Sequence, residues 1–204
     1  MYSPAEVARR YVETGKSKAA LPVGRMLLLG ILAGAFIALA GGSATFAVSY
    51  GGRLAGAAVF PAGLAMVLLA GSELFTGNCL LVIPLLERQL TWGRMLRSWG
   101  VVYLANVLGA GSVAALTVAA GTFDGVYESV VATAAAKAGL PFLTALLRGV
   151  LCNFLVCIAV WMSLAAQSVP GKLAGTRSYS QVWRALVSSI HALTARFSSR
   201  TPVK

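Results

Sequence analysis

A small group of polar side chains interrupts one of the most apolar parts of the sequence. Within residues 54–86, the stretch GSELFTGNCL places a carboxylate (Glu73), a hydroxyl (Thr76) and an amide (Asn78) among leucine, valine and alanine. Serine, threonine and asparagine beside glycine are typical of a loop or a helix start. Such groups can bond to a small polar solute, or they can satisfy the backbone of an interrupted helix.

The rest of the chain offers no pattern for covalent or metal chemistry. No acid/base pair or nucleophile motif is recognisable, and the sequence has one histidine, His191. Cys79, Cys152 and Cys157 lie in apolar segments without metal-ligand spacing, so we interpret them as reduced packing residues. We therefore expect a protein that is not an enzyme and has no cofactor and no metal.

The composition is that of an integral membrane protein. Of the 204 residues, 58% are hydrophobic and only 11% are charged. A span needs roughly 20 apolar residues, and suitable stretches lie at residues 27–49, 54–86, 99–120 and 141–166. We expect an all-α membrane protein with four spans within residues 22–166, preceded by an amphipathic cytoplasmic helix (1–21) and followed by a basic cytoplasmic tail (167–204).

The distribution of positive charge predicts the orientation. Lysine and arginine are concentrated before the first span, after the second and in the tail, and they are sparse in the other connections. The positive-inside rule then places the N-terminus in the cytoplasm and the protein, multi-pass, in the inner membrane. The net charge of +11 is thus explained by topology, and no motif indicates nucleic acid as a partner.

The first residues predict a short surface helix. Ser3 can cap it, Pro4 suits its first position, Glu6 completes a capping box and Gly15 can end it. One face is apolar, as expected of a helix that packs against the membrane surface or a partner, and it comprises Val7, Ala8, Tyr11 and Val12.

Small residues recur every four positions in the first span. Such a stripe lets two helices approach closely, so we expect this face to pack against another helix or subunit. The stripe comprises Gly30, Gly34, Ala38 and Gly42.

The second apolar stretch is too long for one helix. At 1.5 Å per residue, residues 54–86 would extend about 50 Å, far beyond the roughly 30 Å of hydrocarbon. We expect a break near residues 71–78, with Thr76 or Asn78 capping a half-helix that starts near Cys79 and whose positive dipole end can attract anions. The alternative is an ordinary turn between two separate segments outside the membrane.

Three motifs resemble the formate/nitrite transporter family of pentameric anion channels. They are ELFTGN (residues 73–78), GVLCNFLVCIAVWMS (149–163) and SPAEVARRYVETGKSKA (3–19). The resemblance covers roughly residues 2–175. It implies an aquaporin-like fold with six helical segments, a homopentamer in the lipid bilayer, and passage of small monovalent anions such as formate, nitrite or hydrosulfide through each protomer.

The resemblance also assigns pathway residues. Phe60 and Leu64 match the pore-lining pair before the break, and Lys137 matches a lysine near the outer approach. Leu74, Phe75 and Thr76 match the second constriction and its polar contact. Without the resemblance, Phe60 and Leu64 would pass as packing residues and Lys137 as a solvated charge.

Four further polar residues are candidates for supporting roles: Glu73, Asn78, Arg148 and Asn153. Arg148 lies within the fourth apolar stretch, where a charge is costly and is usually paired or functional, so it can pair with Glu73 or contact an anion. Asn153, like Asn106, can form a hydrogen bond between helices.

The chain departs from the family after residue 175. The second broken helix of the family, with its histidine in a motif like FEHSVAN, is missing, and a basic stretch stands in its place. The codons of VSSIHALT (residues 187–194) permit F-E-H-S-C-A-N in a shifted frame, which differs from that motif at one position. We therefore expect a one-base frameshift between about residues 175 and 187. The alternative is a genuine short variant with a basic tail. In either case the product can be a truncated membrane protein that does not conduct.

Overall fold

The protein is described by a computed structural model over residues 1–172 and Gly175, and all regular secondary structure in this part is helical. The tail of the proposed frameshift lies almost entirely outside the described residues. The helices, in chain order, are α1 (Pro4–Ala19), α2 (Val23–Val59), α3 (Pro61–Ala70), α4 (Phe75–Asn78), α5 (Val82–Leu86), α6 (Trp92–Ala119), α7 (Tyr127–Ala138) and α8 (Phe142–Ala165). Single 3₁₀ turns, Cys79–Leu81 and Asp124–Val126, precede α5 and α7.

Helix α2 folds back on itself at Gly52. The backbone of Gly52 has φ 70° and ψ −177°, which is readily available only to glycine. After this residue the chain runs antiparallel to its own beginning, because Gly56 packs against Ala44 and Val48, and Gly63 packs against Phe36 and Ala40. The continuous apolar stretch Val23–Ala70 therefore forms two helical arms.

The second arm ends at a left-handed glycine. Gly71 has φ 65° and stops α3, and residues 71–74 then form a non-helical segment, which we call the break loop. Beyond it, α4, the 3₁₀ turn and α5 together make a short apolar helix, Phe75–Leu86. Along with Trp92–Ala119 and Phe142–Ala165, these elements confirm the expected class of an all-α membrane protein with a broken second segment.

Close contact between α2 and α6 forms the centre of the molecule. A Cβ at Gly34 would collide with the backbone of Asn106, and a Cβ at Gly109 would collide with the backbone of Ile31. Gly30 lies against the Cβ of Ala105. The predicted stripe of small residues thus has its partner, and its role is to let two helix backbones touch.

Helix α1 packs against other helices of the described chain, including α5, α6 and α8. Its capping box is present, since the Ser3 N–H donates to the Glu6 carboxylate and the Glu6 N–H donates to the Ser3 hydroxyl. Two hydrogen bonds from Ser3 lower the pKa of Glu6, and the backbone N–H has a larger effect than the hydroxyl. Val7, Tyr11 and Val12 are buried.

Several boundaries differ from those expected. Gly15 does not end α1, which continues to Ala19; it lies where α1 approaches α5 closely, since a Cβ there would lie 2.9 Å from Pro84 Cγ. The connection expected between residues 49 and 54 is reduced to the reversal at Gly52. Helix α6 begins at Trp92, before the expected residue 99, because Thr91 caps it by accepting from the Arg94 N–H.

The α2–α6 contact makes a matched pair of substitutions informative. Gly34→Ala must push α6 away, and overpacking of this kind costs about 1–3 kcal/mol. Gly41→Ala on the same helix meets no atom within 4 Å, so it should leave stability unchanged or slightly raised. Thermal unfolding of the detergent-solubilised variants checks this, and equal midpoints for the two variants would refute the packing role of Gly34.

Candidate functional site

The break loop is tied to the helices on either side of it. The Glu73 N–H donates to Leu29 O of α2 at 3.1 Å, and the Ser72 N–H donates to Val67 O of α3 at 3.1 Å. The Ser72 hydroxyl also donates to Val67 O. The backbone N–H groups of Ser72 and Glu73, which the break releases from a helix, are therefore satisfied by protein, as burial within a membrane would require.

The short helix after the break is capped from a different part of the chain. Asn106 of α6 accepts the Phe75 N–H on its Oδ1 at 2.8 Å, while its Nδ2 donates to Glu73 O at 2.9 Å and to Gly30 O at 2.8 Å. The expected cap by Thr76 or Asn78 near Cys79 is wrong. The helix begins earlier, at Phe75, and Asn78 lies inside it.

A buried ion pair lies beneath the break loop. Lys18 Nζ of α1 lies 2.8 Å from Glu73 Oε1, and the Glu73 side chain is only 5% exposed. Asn78 Nδ2 donates to Glu73 Oε2 at 2.8 Å, and Lys18 Nζ donates to Asn78 Oδ1 at 3.3 Å. From α6, Trp99 Nε1 donates to Asn78 O at 2.8 Å. Through Lys18 and Asn78, the Glu73 carboxylate thus joins the break loop to α1 and to α4.

Helix α1 makes a further contact with the short helix. The Tyr11 hydroxyl donates to Gly77 O at 3.2 Å. Burial raises the pKa of Tyr11, and the negative charge of Glu73 adds to the effect. Tyr11 therefore remains a neutral donor at this position.

Apolar side chains of α3, of the residue before it and of the break loop pack against α8. Phe60, Leu64 and Leu74 belong to one cluster that packs against Leu155 and Val160. This cluster brings together three of the predicted pathway residues. Phe75 points elsewhere, since its ring contacts Tyr103 at 5.3 Å and Trp99 at 6.2 Å between centroids.

Two buried polar atoms have no hydrogen-bond partner in the described part of the chain: Thr76 Oγ1 and Asn153 Oδ1. Cys157 Sγ of α8 donates to Thr76 O at 3.2 Å, so α4 and α8 are in contact here. Asn153 lies one helical turn before Cys157, on the same side of α8. An unpaired buried polar atom is unusual and calls for an explanation, such as a ligand or a water.

A cavity of about 220 Å³ opens beside the break loop and reaches both the ion pair and the apolar cluster. It is lined by residues that include Lys18, Glu73, Asn78, Leu64 and Leu74. Lys137 is exposed on α7 and lines a different cavity, of about 690 Å³, between α2, α6 and α7.

The expected pairing of Arg148 with Glu73 is not observed. Arg148 is exposed on the first half of α8, and the partner of Glu73 is Lys18. Lys18 is therefore a site residue that was not predicted from the sequence. Asn106 was predicted only as a possible interhelical hydrogen-bonding residue, whereas its side chain makes three hydrogen bonds. The sequence feature that could have indicated Lys18 is its position within the N-terminal motif, residues 3–19, that resembles the family.

The described fold and site define a class: a multi-pass helical membrane protein whose second segment is interrupted by an ordered loop. The family model "Formate/nitrite transporter" matches residues 5–178. The chain belongs to the formate/nitrite transporter family, and the resemblance expected from its motifs is confirmed.

Individual proteins agree with this assignment. "Uncharacterized transporter YrhG" of Bacillus subtilis (strain 168) is 39% identical over 183 residues, covering 84% of this chain and 69% of that relative. A solved structure described as an "FNT family ion channel" superposes with a TM-score of 0.74 at 25% identity, covering 86% of this chain and 74% of the other. A "Pentameric formate channel with formate bound" gives a TM-score of 0.64 at 27% identity, covering 78% and 68%. These relatives are channels or transporters, which fits the reading of this chain as a non-enzyme.

The ion pair beneath the break loop predicts unequal costs for two lysine substitutions. Lys18→Met leaves Glu73 buried and uncompensated, so we expect a loss toward the lower end of about 3–5 kcal/mol because Asn78 still donates to the carboxylate. Lys16→Met removes the exposed pair with Glu13, whose side chains are 42% and 72% exposed, and should cost under about 1 kcal/mol. Chemical unfolding in detergent measures both, and equal losses would contradict a stabilising role for the Lys18–Glu73 pair.

Proposed function

We propose that the protein conducts small monovalent anions, formate above all and nitrite or hydrosulfide as further candidates, through a path within each protomer. The path runs past the apolar cluster of Phe60, Leu64 and Leu74 and past the hydroxyl of Thr76. Family membership supports anion transport as the general activity, and the formate bound in a structural neighbour supports formate as the solute.

The observation that carries the proposal is the unpaired hydroxyl of Thr76 beside the apolar cluster. A buried polar atom without a partner costs free energy that a passing solute can recover by bonding to it. The Thr76 O–H can donate to an oxygen of formate. The apolar side chains next to it disfavour a large or strongly hydrated ion.

Positive charge at Lys137 would guide anions toward this path. Lys137 lines the cavity between α2, α6 and α7, and a cation there raises the local anion concentration. The charge of Lys18, which lines the cavity beside the break loop, is offset by Glu73 at 2.8 Å. The charge distribution supports an inner-membrane location with a cytoplasmic N-terminus, and the pentameric neighbour supports a homopentamer.

A second candidate is a membrane protein of this family that does not conduct. One observation favours it. Large apolar side chains on the first half of α8 are left exposed by the described part of the chain, with Phe142, Leu146 and Val150 at 82%, 49% and 58%. If the tail arises from a frameshift, the segments that would cover this surface are replaced.

Purified protein in liposomes should swell in an iso-osmotic formate solution. We expect Thr76→Val to slow formate-driven swelling by about two- to tenfold, because a net hydrogen bond contributes about 0.5–1.5 kcal/mol. The same variant should unfold at the same temperature or higher, since the lost hydroxyl is buried and has no partner.

Ser112→Ala is the control for that experiment. Ser112 Oγ donates within its own helix to Leu108 O and lines neither of the two cavities, so its loss should leave swelling unchanged. A gene with the frame restored after residue 175 serves as the second comparison. Swelling by the restored protein alone would establish the non-conducting candidate for the 204-residue chain, and swelling by neither would overturn the proposed function.

A further inference from the structure

We propose that Asn106 is the positioning residue that holds the break loop in place and thereby sets the width of the anion path. The effect on anion selectivity rests on the proposed function, whereas the effect on loop position does not. Asn106 lies at the middle of α6, and its amide bonds to Glu73 O in the break loop and to the N–H of Phe75, the first residue of the short helix.

The amide of Asn106 uses all of its hydrogen atoms and one acceptor site at this junction. Its Oδ1 accepts the Phe75 N–H, and its Nδ2 donates to Glu73 O and to Gly30 O, each at 2.8–2.9 Å. The three partners are backbone groups of α2, of the break loop and of the first residue of α4. The side chain therefore fixes the break loop and the start of α4 relative to α2 through one rigid planar group.

The backbone of Asn106 is itself held at one distance from α2. Gly34 touches the Asn106 backbone directly, and Gly30 touches the preceding Ala105. Because this contact allows no extra atom, α6 cannot approach α2 further, and the short Asn side chain reaches the break only at this separation. The small-residue contact and the loop position are thus coupled through Asn106.

The bonds of Asn106 flank the proposed constriction. Leu74 lies in the chain between Glu73 and Phe75, the two residues that Asn106 holds, and it packs with Phe60 and Leu64 in the apolar cluster. Thr76 follows Phe75 and carries the unpaired hydroxyl. Release of Glu73 O and the Phe75 N–H would therefore move both the apolar side chain and the polar contact of the path.

Two native thiols report on the loop without any need for transport. Cys79 Sγ donates to Phe75 O at 3.4 Å, and Cys157 Sγ donates to Thr76 O at 3.2 Å. Both sulfurs should become more accessible if this part of the chain shifts. Cys152 is partly buried on α8 and makes no hydrogen bond to the loop in the described part of the chain, so it is an internal reference.

The experiment measures labelling of each cysteine by N-ethylmaleimide, resolved by mass spectrometry, in the full chain in detergent. For Asn106→Ala we expect the rates at Cys79 and Cys157 to rise about tenfold, because three hydrogen bonds of modest net strength are lost. Asn106→Leu keeps a similar side-chain volume and removes all three bonds without adding a charge, so it should give a similar rise and serves if the alanine variant does not fold. Ser112→Ala, which removes a bond confined to α6, should change no rate.

Unchanged labelling of Cys79 and Cys157 in both Asn106 variants would overturn the proposal, and so would an equal rise at all three cysteines, which indicates general destabilisation. A second readout applies in liposomes: the preference for formate over the larger acetate should fall several-fold in the Asn106 variants. Lack of formate flux in the unsubstituted chain would refute the proposed function, while the thiol rates would still decide the position of the loop.

Discussion

A helix that is broken inside a membrane exposes backbone N–H and C=O groups where no bulk water can satisfy them. This constraint governs the arrangement around residues 71–78. Leu29 O accepts from Glu73, and Asn106 bonds to Glu73 O and to the Phe75 N–H. Each of these partners comes from a distant element, so the break can exist only when α2 and α6 are already in place.

The same constraint explains two features that would otherwise be unrelated. The small residues of α2 let α6 approach until Asn106 reaches the loop. Helix α1 brings Lys18 to the buried carboxylate of Glu73 and the Tyr11 hydroxyl to Gly77 O. The loop is consequently supported from two sides, and its third side faces α8, where the apolar cluster and the unpaired Thr76 hydroxyl meet.

The sequence predicted those features that depend on local pattern. Hydropathy and length indicated the helical membrane class and the break, and the four-residue repeat of small residues indicated a close helix contact. Long-range partners were not accessible, since Lys18 is 55 positions from Glu73 and Arg148 was an equally reasonable counter-ion. Local rules also failed where tertiary contacts prevail: Asn106, and not Thr76 or Asn78, caps the short helix, and packing against Pro84 carries α1 past Gly15. The roles assigned to Phe60, Leu64, Leu74, Phe75, Thr76 and Lys137 stay predictions.

The whole arrangement depends on the break loop being an ordered structure held by its backbone bonds. Amide hydrogen exchange resolved to single residues measures this order. The N–H groups of Glu73 and Phe75, which donate to Leu29 O and Asn106 Oδ1, should exchange as slowly as those in the interior of α3. Exchange as fast as that of the exposed Gly93 N–H, in the first turn of α6 where no intrahelical partner exists, would mean that these bonds do not hold the loop.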